Sequence, residues 1–310
     1  MVKSINLYKN FNIKKIHKNS IILIGNFDGL HLGHQKLFAL ADKYKKKYSL
    51  KIGVLTFEPM PKMYFNKSLT NFRISSLKQK ISLLSDLKVD FIIIKKFNKV
   101  FSKIKSTKFI KRILAKKLNA KFIFVSNNFR FGNKREGDVR QLITFENKYS
   151  FKIINPKPLL NQKKIVSSSL IRKYLQTGKL EKANKILNRK WCVEGKVQQG
   201  RQVGKKIGFP TANIDIKNYV LACPGVYAVR VKNYRNKKYI KGIANLGYRP
   251  TFNGKKILLE VHLFNFSGNL YNKYLTVEFL KFKKKKKKFK NADQLKKQIM
   301  NDLLVAKKTK

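Results

Sequence analysis

Cysteine is scarce in this sequence, and long apolar runs are absent. The two cysteines, Cys192 and Cys223, have no CxxC spacing, so a cysteine-ligated metal site is not predicted. Two buried thiols fit a reducing cytoplasm. No run of about 18 apolar residues occurs, which argues against a membrane span. Residues 1–15 are polar and lack the apolar core of a secretory signal. We therefore expect a cytoplasmic protein with no membrane partner.

Acidic residues are scarce as well, with 15 Asp and Glu against 72 Lys and Arg, a net charge of +57 at pH 7. Such a charge suits a nucleic-acid or anionic-membrane partner. The alternative is the codon usage of an AT-rich genome, because Lys greatly outnumbers Arg and the lysines are scattered through every segment. A surface selected to bind phosphate would favour the bidentate fork of Arg. We expect no specific nucleic-acid partner, although the charge should attract phosphorylated small molecules and RNA at low salt.

The first half of the chain alternates between short apolar runs and helical patterns. The apolar runs at 20–24, 51–57, 90–94, 121–125 and 151–154 predict buried strands, and helical spacing appears at 35–48, 76–87 and 106–118. Strand and helix in alternation are typical of a parallel α/β sheet. We predict a Rossmann-like N-terminal domain over residues 1–187.

The pattern changes in the second half. Two short helices are predicted after Ser167, ending at Gly178 and at residue 187. Beyond them, β-rich runs at 191–198, 225–232, 239–245, 258–264 and 275–282 are separated by turn residues. This pattern predicts an antiparallel β-barrel over residues 188–310, with a closing helix at 292–306. The lysine run at 283–288 is expected to be a solvated strand end, because adjacent like charges repel.

Residues 25–34 read GNFDGLHLGH and join a predicted strand to a predicted helix. Glycines at 25, 29 and 33 let the backbone approach a phosphate, and the helix start presents N–H groups to an anion. His31 and His34 share one face of the helix. They can donate hydrogen bonds to a triphosphate as charge develops on departing pyrophosphate. A lone histidine would more simply be a cap or a core residue, but the pair in this context predicts a phosphate site.

A second glycine-spaced segment, residues 200–213, reads GRQVGKKIGFPTAN. Its glycines, among them Gly204 and Gly208, can cover phosphates, although a plain turn has the same composition. Thr211 and Asn213 offer hard oxygen ligands for Mg²⁺ bound to ATP phosphates.

An acidic residue, Glu260, lies in the β-rich run LLEVHLF, where alternation places it on one face with Leu258 and His262. It is either a general base or an outward-facing surface acid. The strand pattern by itself favours the surface acid.

With these segments in view, the chain resembles the HxGH nucleotidylyltransferases. Through the longer GxFDGxHxGH form it resembles the prokaryotic bifunctional riboflavin kinase/FMN adenylyltransferase (FAD synthetase) family. Further motifs agree in order: TFEPMP at 56–61, NNFRFG at 127–132, VSSSLIR at 166–172, GFPTAN at 208–213, PGVY at 224–227, NLGYRPTF at 245–252, LEVHL at 259–263 and NLY at 269–271. The resemblance extends over nearly the whole chain.

The resemblance implies two reactions that each use ATP. The barrel would phosphorylate riboflavin to FMN with Mg²⁺ and ATP, with Glu260 as the base. The N-terminal domain would transfer AMP to FMN, giving FAD and pyrophosphate, while His31 and His34 stabilise the phosphates. ATP, riboflavin and FMN are thus the expected partners, and a homo-oligomer is left open.

The resemblance also implies a set of binding residues. It implies ATP or phosphate contacts at Gly25, Phe27, Asp28, Gly29, Gly33, Asn128, Ser168, Ser169, Arg172, Gly204, Gly208, Thr211 and Asn213, the last two also holding the metal. It implies flavin contacts at Pro59, Phe129, Tyr227 and Arg249.

Five positions depart from the family pattern. Met60 stands where His is usual, Ser126 and Asn272 where Gly is usual, Ser169 where Thr is usual and Lys284 where Arg is usual. Lys cannot reproduce the planar fork of Arg. The departures at Met60 and Lys284 leave open a chain that retains only one of the two activities. A basic RNA-binding protein is an alternative from another class.

Overall fold

The computed structural model describes residues 5–199, 209–233, 238–251 and 254–285, and the chain divides into two compact units. One comprises Met1–Leu69 and Leu77–Val166, and the other comprises Thr70–Ser76 and Ser167–Lys310. In the described part of the chain, no helix is long and apolar enough to cross a membrane.

The first unit is built on a six-stranded parallel sheet in the order β1-β4-β3-β2-β5-β8. Its strands and helices in chain order are β1 (Asn6–Tyr8), β2 (Ile21–Ile24), α1 (Leu32–Tyr48), β3 (Ile52–Glu58), α2 (Pro61–Phe65), α3 (Leu77–Asp86), β4 (Phe91–Lys96), α4 (Lys99–Ser102), α5 (Ser106–Lys108) with a π-helix (Phe109–Lys117), β5 (Phe122–Phe124), β6 (Arg130–Phe131), β7 (Gly137–Asp138), α6 (Val139–Thr144), α7 (Glu146–Tyr149), β8 (Lys152–Ile154), β9 (Leu160–Asn161) and β10 (Lys164–Ile165).

The sheet is buried on both faces because its central strands are apolar throughout. In β2, Ile22 and Ile24 pack into one core with the π-helix and α6, while Ile21 and Leu23 pack into a second core with α1 and α3. Alternation along the strand directs successive side chains to opposite layers. The predicted parallel α/β fold is confirmed, and β1 is an addition, since a run of only three residues, NLY, gave no strand signal.

The second unit contains a closed six-stranded antiparallel barrel in the order β11-β12-β15-β14-β13-β16. Its elements in chain order are α8 (Ser168–Gln176), α9 (Leu180–Leu187), β11 (Cys192–Gln198), β12 (Ala212–Ile214), β13 (Gly225–Asn233), β14 (Ile240–Thr251), β15 (Gly254–Leu263) and β16 (Tyr274–Lys285). The predicted barrel is confirmed, and β12 completes it. The predicted closing helix at 292–306 lies outside the described residues.

A buried asparagine joins α9 to the barrel. The Asn184 side chain, 8% exposed, donates to the Phe279 carbonyl at 3.1 Å and accepts from the backbone N–H of Trp191 at 2.7 Å. The Trp191 indole N–H in turn donates to the carbonyl of Ile74 at 3.0 Å. Segments 70–76 and 167–187 therefore pack with the barrel. The assignment of one activity to residues 1–187 and the other to 188–310 stays a prediction.

Candidate functional site

The GNFDGLHLGH segment lies where the sheet changes direction. The chain runs from β2 outward through β3 and β4, then returns to add β5 on the other side of β2. In such sheets ligands bind at this switch point, beyond the carboxyl ends of the strands. Residues 25–31 follow β2 directly, and residues 125–129 follow β5. The structure thus brings two of the predicted nucleotide-binding segments to one edge of the sheet.

The loop after β2 is tightly wound. Gly29 has φ 79°, and Phe27 and Leu30 also adopt left-handed angles, with φ 48° and 39°. Such angles are unfavourable for residues that have a Cβ, and here the two buried side chains, each 2% exposed, hold them in place. The Phe27 ring lies so close beneath Gly25 that a Cβ there would stand 3.1 Å from it.

Two stacked histidines stand at the start of α1. The rings of His31 and His34 are 3.7 Å apart between centroids and inclined by 19°. His31 is the N-cap, and its Nδ1 accepts from the backbone N–H of His34 at 3.4 Å. A Cβ on Gly33 would stand 3.2 Å from the His31 ring and 3.3 Å from the Val166 carbonyl. Glycine at 33 therefore leaves the room that this stack needs.

The electrostatics of the stack favour a neutral His34 ring. Burial, then the neighbouring His31 and then Lys80 hold the pKa of His34 well below its ordinary value. The His34 Nδ1 is buried and has no hydrogen-bond partner in the described part of the chain. Because a buried unpaired N–H is costly, this environment favours a proton on Nε2. For His31, Nδ1 already accepts a hydrogen bond, so its ring proton also lies on Nε2.

Lys80 of α3 is a candidate that the sequence reasoning missed. It is 2% exposed, and its ammonium donates to the Asn26 carbonyl at 3.1 Å and to the Thr56 hydroxyl at 3.2 Å. It therefore connects the loop after β2 to β3. Lys80 lies four residues before the fully buried Leu84, on the inner face of its helix. That position was readable from the sequence, but a single lysine does not stand out in a chain so rich in lysine.

The other residues predicted for this site lie near the same strand ends. Asp28 is buried, while Asn128 is exposed and its Oδ1 accepts from the Ser126 hydroxyl at 2.9 Å. Phe129 is partly buried and stacks on Phe131, with centroids 5.4 Å apart. Pro59, the predicted flavin contact, follows β3 and is partly buried. The neighbouring Met60 is 3% exposed.

The predicted phosphate residues of the VSSSLIR motif lie in the second unit, at the start of α8. Ser167 is the N-cap and accepts from the Leu170 N–H at 3.2 Å, Ser168 is partly buried, and Ser169 is exposed. The Arg172 guanidinium stacks on the Phe72 ring at 3.7 Å, and its Nε donates to the Phe72 carbonyl at 2.8 Å. Segment 70–76 therefore orients this arginine.

A second group of polar side chains forms a row across the barrel. Asn213 of β12 lies opposite Glu260 of β15, which lies opposite Asn245 of β14. The next residues along these strands, among them Leu259 and Leu246, are fully buried. Since strand side chains alternate between faces, Leu259 and Leu246 fill the barrel and the polar row lies on its outer face. We call Asn213, Glu260 and Asn245 the polar row.

The polar row is only partly accessible. Asn213 is 7% exposed, and Glu260 and Asn245 are partly buried. Asn245 Nδ2 donates to Glu260 Oε2 at 3.4 Å. Within the described residues, the side-chain oxygens of Asn213 and Asn245 are buried and have no hydrogen-bond partner. An outward-facing carboxylate flanked by two such amides differs from an ordinary surface acid.

The segment before β12 is fixed to the same face. Nδ1 of His262, two residues after Glu260 on β15, is hydrogen-bonded to the Pro210 carbonyl at 2.9 Å, and the Phe209 ring meets the His262 ring edge-on. Thr211 follows directly and is partly buried. The structure therefore brings Thr211 and Asn213 beside Glu260. The predicted contacts at Gly204 and Gly208 lie outside the described residues, as does the Arg249 side chain.

Tyr227 is not brought to the polar row. Its ring is 1% exposed inside the barrel, packs on Phe279 and Phe282, and its hydroxyl donates to the Cys223 carbonyl. The predicted flavin contact at Tyr227 has no support in this geometry. Lys284 of β16 is one of the departures from the family pattern, and it lies opposite Val226 of β13. Val226 in turn lies opposite Asn245 of β14, so Lys284 is in line with the polar row.

Comparison with known proteins gives two family matches and many full-length relatives. The FAD synthetase family model matches residues 13–170, and the riboflavin kinase family model matches residues 187–310. A bifunctional riboflavin kinase/FMN adenylyltransferase of Buchnera aphidicola subsp. Schizaphis graminum is 42% identical over 96% of each chain. Proteins of the same name from Haemophilus influenzae and Escherichia coli K12 are 36% and 34% identical over 96% and 92% of this chain, and 96% and 91% of theirs.

Among solved structures, a crystal structure named as a macrolide-efflux protein from Streptococcus pneumoniae matches with a TM-score of 0.87. It is 28% identical, and the match covers 98% of this chain and 99% of that one. Both units are thus found together in one solved chain.

Proposed function

The chain belongs to the bifunctional riboflavin kinase/FMN adenylyltransferase family, and on that premise we propose which of its residues serve each reaction. It phosphorylates riboflavin to FMN and adenylylates FMN to FAD. We assign riboflavin phosphorylation to the polar row and adenylyl transfer to the stacked histidines. The observation that supports this assignment best is that His31 and His34 stack within the first unit, while Asn213 and Glu260 lie opposite each other within the second.

In adenylyl transfer, a phosphate oxygen of FMN attacks the α-phosphorus of ATP, and the bond to the bridging oxygen breaks as pyrophosphate leaves. The FMN phosphate is already a nucleophile, so the protein's task is to position the reactants and stabilise the developing charge. His31 and His34 do this by donating hydrogen bonds from Nε2 to the phosphates. Since the pKa of His34 is held low, His34 acts near neutral pH as a dipolar donor without a full charge.

In riboflavin phosphorylation, Glu260 accepts the proton of the terminal ribityl hydroxyl. That oxygen forms a bond to the γ-phosphorus of ATP, and ADP leaves with the electrons of the broken bond. Thr211 and Asn213 would hold Mg²⁺, which supplies charge neutralisation on the ATP phosphates. The Asn213 oxygen, buried beside a carboxylate and without a hydrogen-bond partner among the described residues, is the kind of hard donor that this cation takes. Because both reactions draw on ATP, a cytoplasmic location fits the proposal.

The departures from the family pattern leave these two sets intact. The Met60 side chain is 3% exposed and supplies no strong polar group. Any polar contact to the substrate therefore has to come from a residue other than Met60. The His31–His34 stack does not depend on Met60. Lys284 keeps a basic side chain in line with the polar row, two strands away from Asn245. We therefore expect both activities in this chain.

A direct assay tests the proposal. The purified full-length protein is incubated with riboflavin, ATP and Mg²⁺, and the flavins are separated chromatographically over time. FMN should form first and FAD should follow, and omission of Mg²⁺ or ATP should stop both steps. FMN without FAD would mean that the histidine site is inactive. Absence of both products, with RNA binding that weakens steeply as the salt concentration is raised, would favour the basic RNA-binding alternative.

A further inference from the structure

The amide of Asn245 contacts the proposed catalytic base from the neighbouring strand. Asn245 lies directly opposite Glu260 in the β14–β15 register, and its Nδ2 donates to Glu260 Oε2 at 3.4 Å. A hydrogen bond donated to a carboxylate restrains its rotation and favours its charged form. Because the amide nitrogen faces Glu260, the amide oxygen of Asn245 is directed away from the carboxylate.

That amide oxygen is an acceptor with no hydrogen-bond partner among the described residues. Asn245 Oδ1 is buried and accepts no hydrogen bond from the part of the chain that the structure describes, and the same is true of Asn213 Oδ1. Buried polar atoms are nearly always satisfied, and one that is not calls for a specific explanation. Two such acceptors on either side of a carboxylate point to a ligand that brings hydrogen-bond donors or positive charge.

The two sides of Glu260 differ in chemistry. On the β12 side stand Thr211 and Asn213, the proposed ligands of Mg²⁺ and ATP. On the β14 side, Asn245 is followed across the sheet by Val226, which packs on a cluster formed by Ala228, Ile243 and Leu280. Oxygen ligands suited to the ATP phosphates thus lie on the β12 side of Glu260, and apolar groups lie on its β14 side. Riboflavin matches the β14 side, because it joins an apolar ring system to a ribityl chain of hydroxyl donors.

We infer that Asn245 recognises the ribityl chain of riboflavin. Its Oδ1 accepts a hydrogen bond from the 4′-hydroxyl, the neighbour of the hydroxyl that is phosphorylated, while its Nδ2 keeps the Glu260 carboxylate oriented toward the 5′-hydroxyl. One side chain thereby couples recognition of the substrate to alignment of the base. The inference rests on the proposed role of Glu260 and adds a specificity residue to it.

The test compares riboflavin with 4′-deoxyriboflavin as phosphate acceptors for the full-length protein. The wild-type kcat/KM should favour riboflavin by at least about 30-fold, because a site built to accept a hydroxyl leaves a buried group unpaired when that hydroxyl is missing. In Asn245→Leu, which has a similar volume but no polar atoms, this ratio should fall to within about 3-fold of unity. Asn245→Asp keeps an acceptor but places a negative charge beside Glu260. It should retain the preference for riboflavin while its kcat falls and its pH profile moves to higher pH.

A structural role would give a different result. If Asn245→Leu lowers kcat/KM equally for both flavins, so that the ratio stays at the wild-type value, the inference is wrong. Asn245→Asp still offers an acceptor oxygen. If it also loses the preference for riboflavin over 4′-deoxyriboflavin, the discrimination belongs to Glu260, and the inference is wrong as well. Failure of the proposed function itself looks different: Glu260→Gln would then phosphorylate riboflavin as fast as the wild type.

Discussion

Replacement of Lys80 by Met removes a buried ammonium that contacts the loop after β2. The substitution keeps most of the side-chain volume but removes the hydrogen bonds to the Asn26 carbonyl at 3.1 Å and the Thr56 hydroxyl at 3.2 Å. The loop that ends in the His31–His34 stack would then lose these hydrogen bonds from α3. We expect Lys80→Met to impair FAD formation much more than folding.

The two effects can be estimated separately. Hydrogen bonds from a charged donor contribute about 1.5–3 kcal/mol each, but removal of a buried charge also relieves a desolvation cost of several kcal/mol. The free energy of unfolding should therefore change by no more than about 2 kcal/mol. A loss of about 2 kcal/mol in transition-state stabilisation, from a loosened loop, lowers the adenylyl-transfer rate roughly 30-fold.

The assay follows conversion of FMN to FAD with saturating ATP, alongside conversion of riboflavin to FMN. Lys78→Met is the matched control, because Lys78 lies on the same helix and is exposed. Lys80→Met should be slowed only in FAD formation, and NMR should show the pKa of His34 raised, since Lys80 contributes to holding it low. Equal FAD rates in the two variants, or an equal loss in both reactions, would refute the proposed role of Lys80.

Three further predictions concern stability. Gly53→Ala should lower the free energy of unfolding by about 3 kcal/mol in urea melts, because its Cβ would overlap the fully buried Phe91 ring; an unchanged midpoint would contradict this packing. Stability should fall as pH drops below 6.5, by up to about 1.4 kcal/mol per pH unit, because the unfolded chain protonates His34 while the native site resists. His34→Gln should lack this component, and identical pH dependence would disprove it. Asn184→Ala should lower the free energy of unfolding by about 2–4 kcal/mol, since the backbone N–H of Trp191 loses its acceptor. A decrease of less than about 1 kcal/mol would mean that water replaces the amide.

The sequence was sufficient for the fold class because both architectures leave strong local signals. The apolar run before Gly25 and the alternation around Glu260 each predicted a strand, and the structure has β2 and β15 at these places. The three-residue strands β1 and β12 gave no such signal, because pairing with neighbours defines them. The packing of 167–187 with the barrel was also invisible, since periodicity shows which face is buried but not against what.

The same limit applies to the sites. Spacing placed His31 and His34 on one helix face, and the structure stacks them. Lys80 and Asn245 had no assigned role, because their importance lies in long-range contacts: one with a loop 54 residues earlier, the other with a residue across a strand pair. Helical or strand periodicity cannot report which residue stands opposite which.

We propose that two separate sets of residues perform the two reactions. Assays of Glu260→Gln and His34→Gln in both half-reactions distinguish this division from a shared site. Glu260→Gln should form FMN at least about 100-fold more slowly and convert supplied FMN to FAD at the wild-type rate. His34→Gln should show the reverse, forming FMN normally and FAD about 100-fold more slowly. The division of the two reactions between these residues is wrong if either variant loses both reactions to the same extent while remaining folded. It is also wrong if Glu260→Gln forms FMN at the wild-type rate.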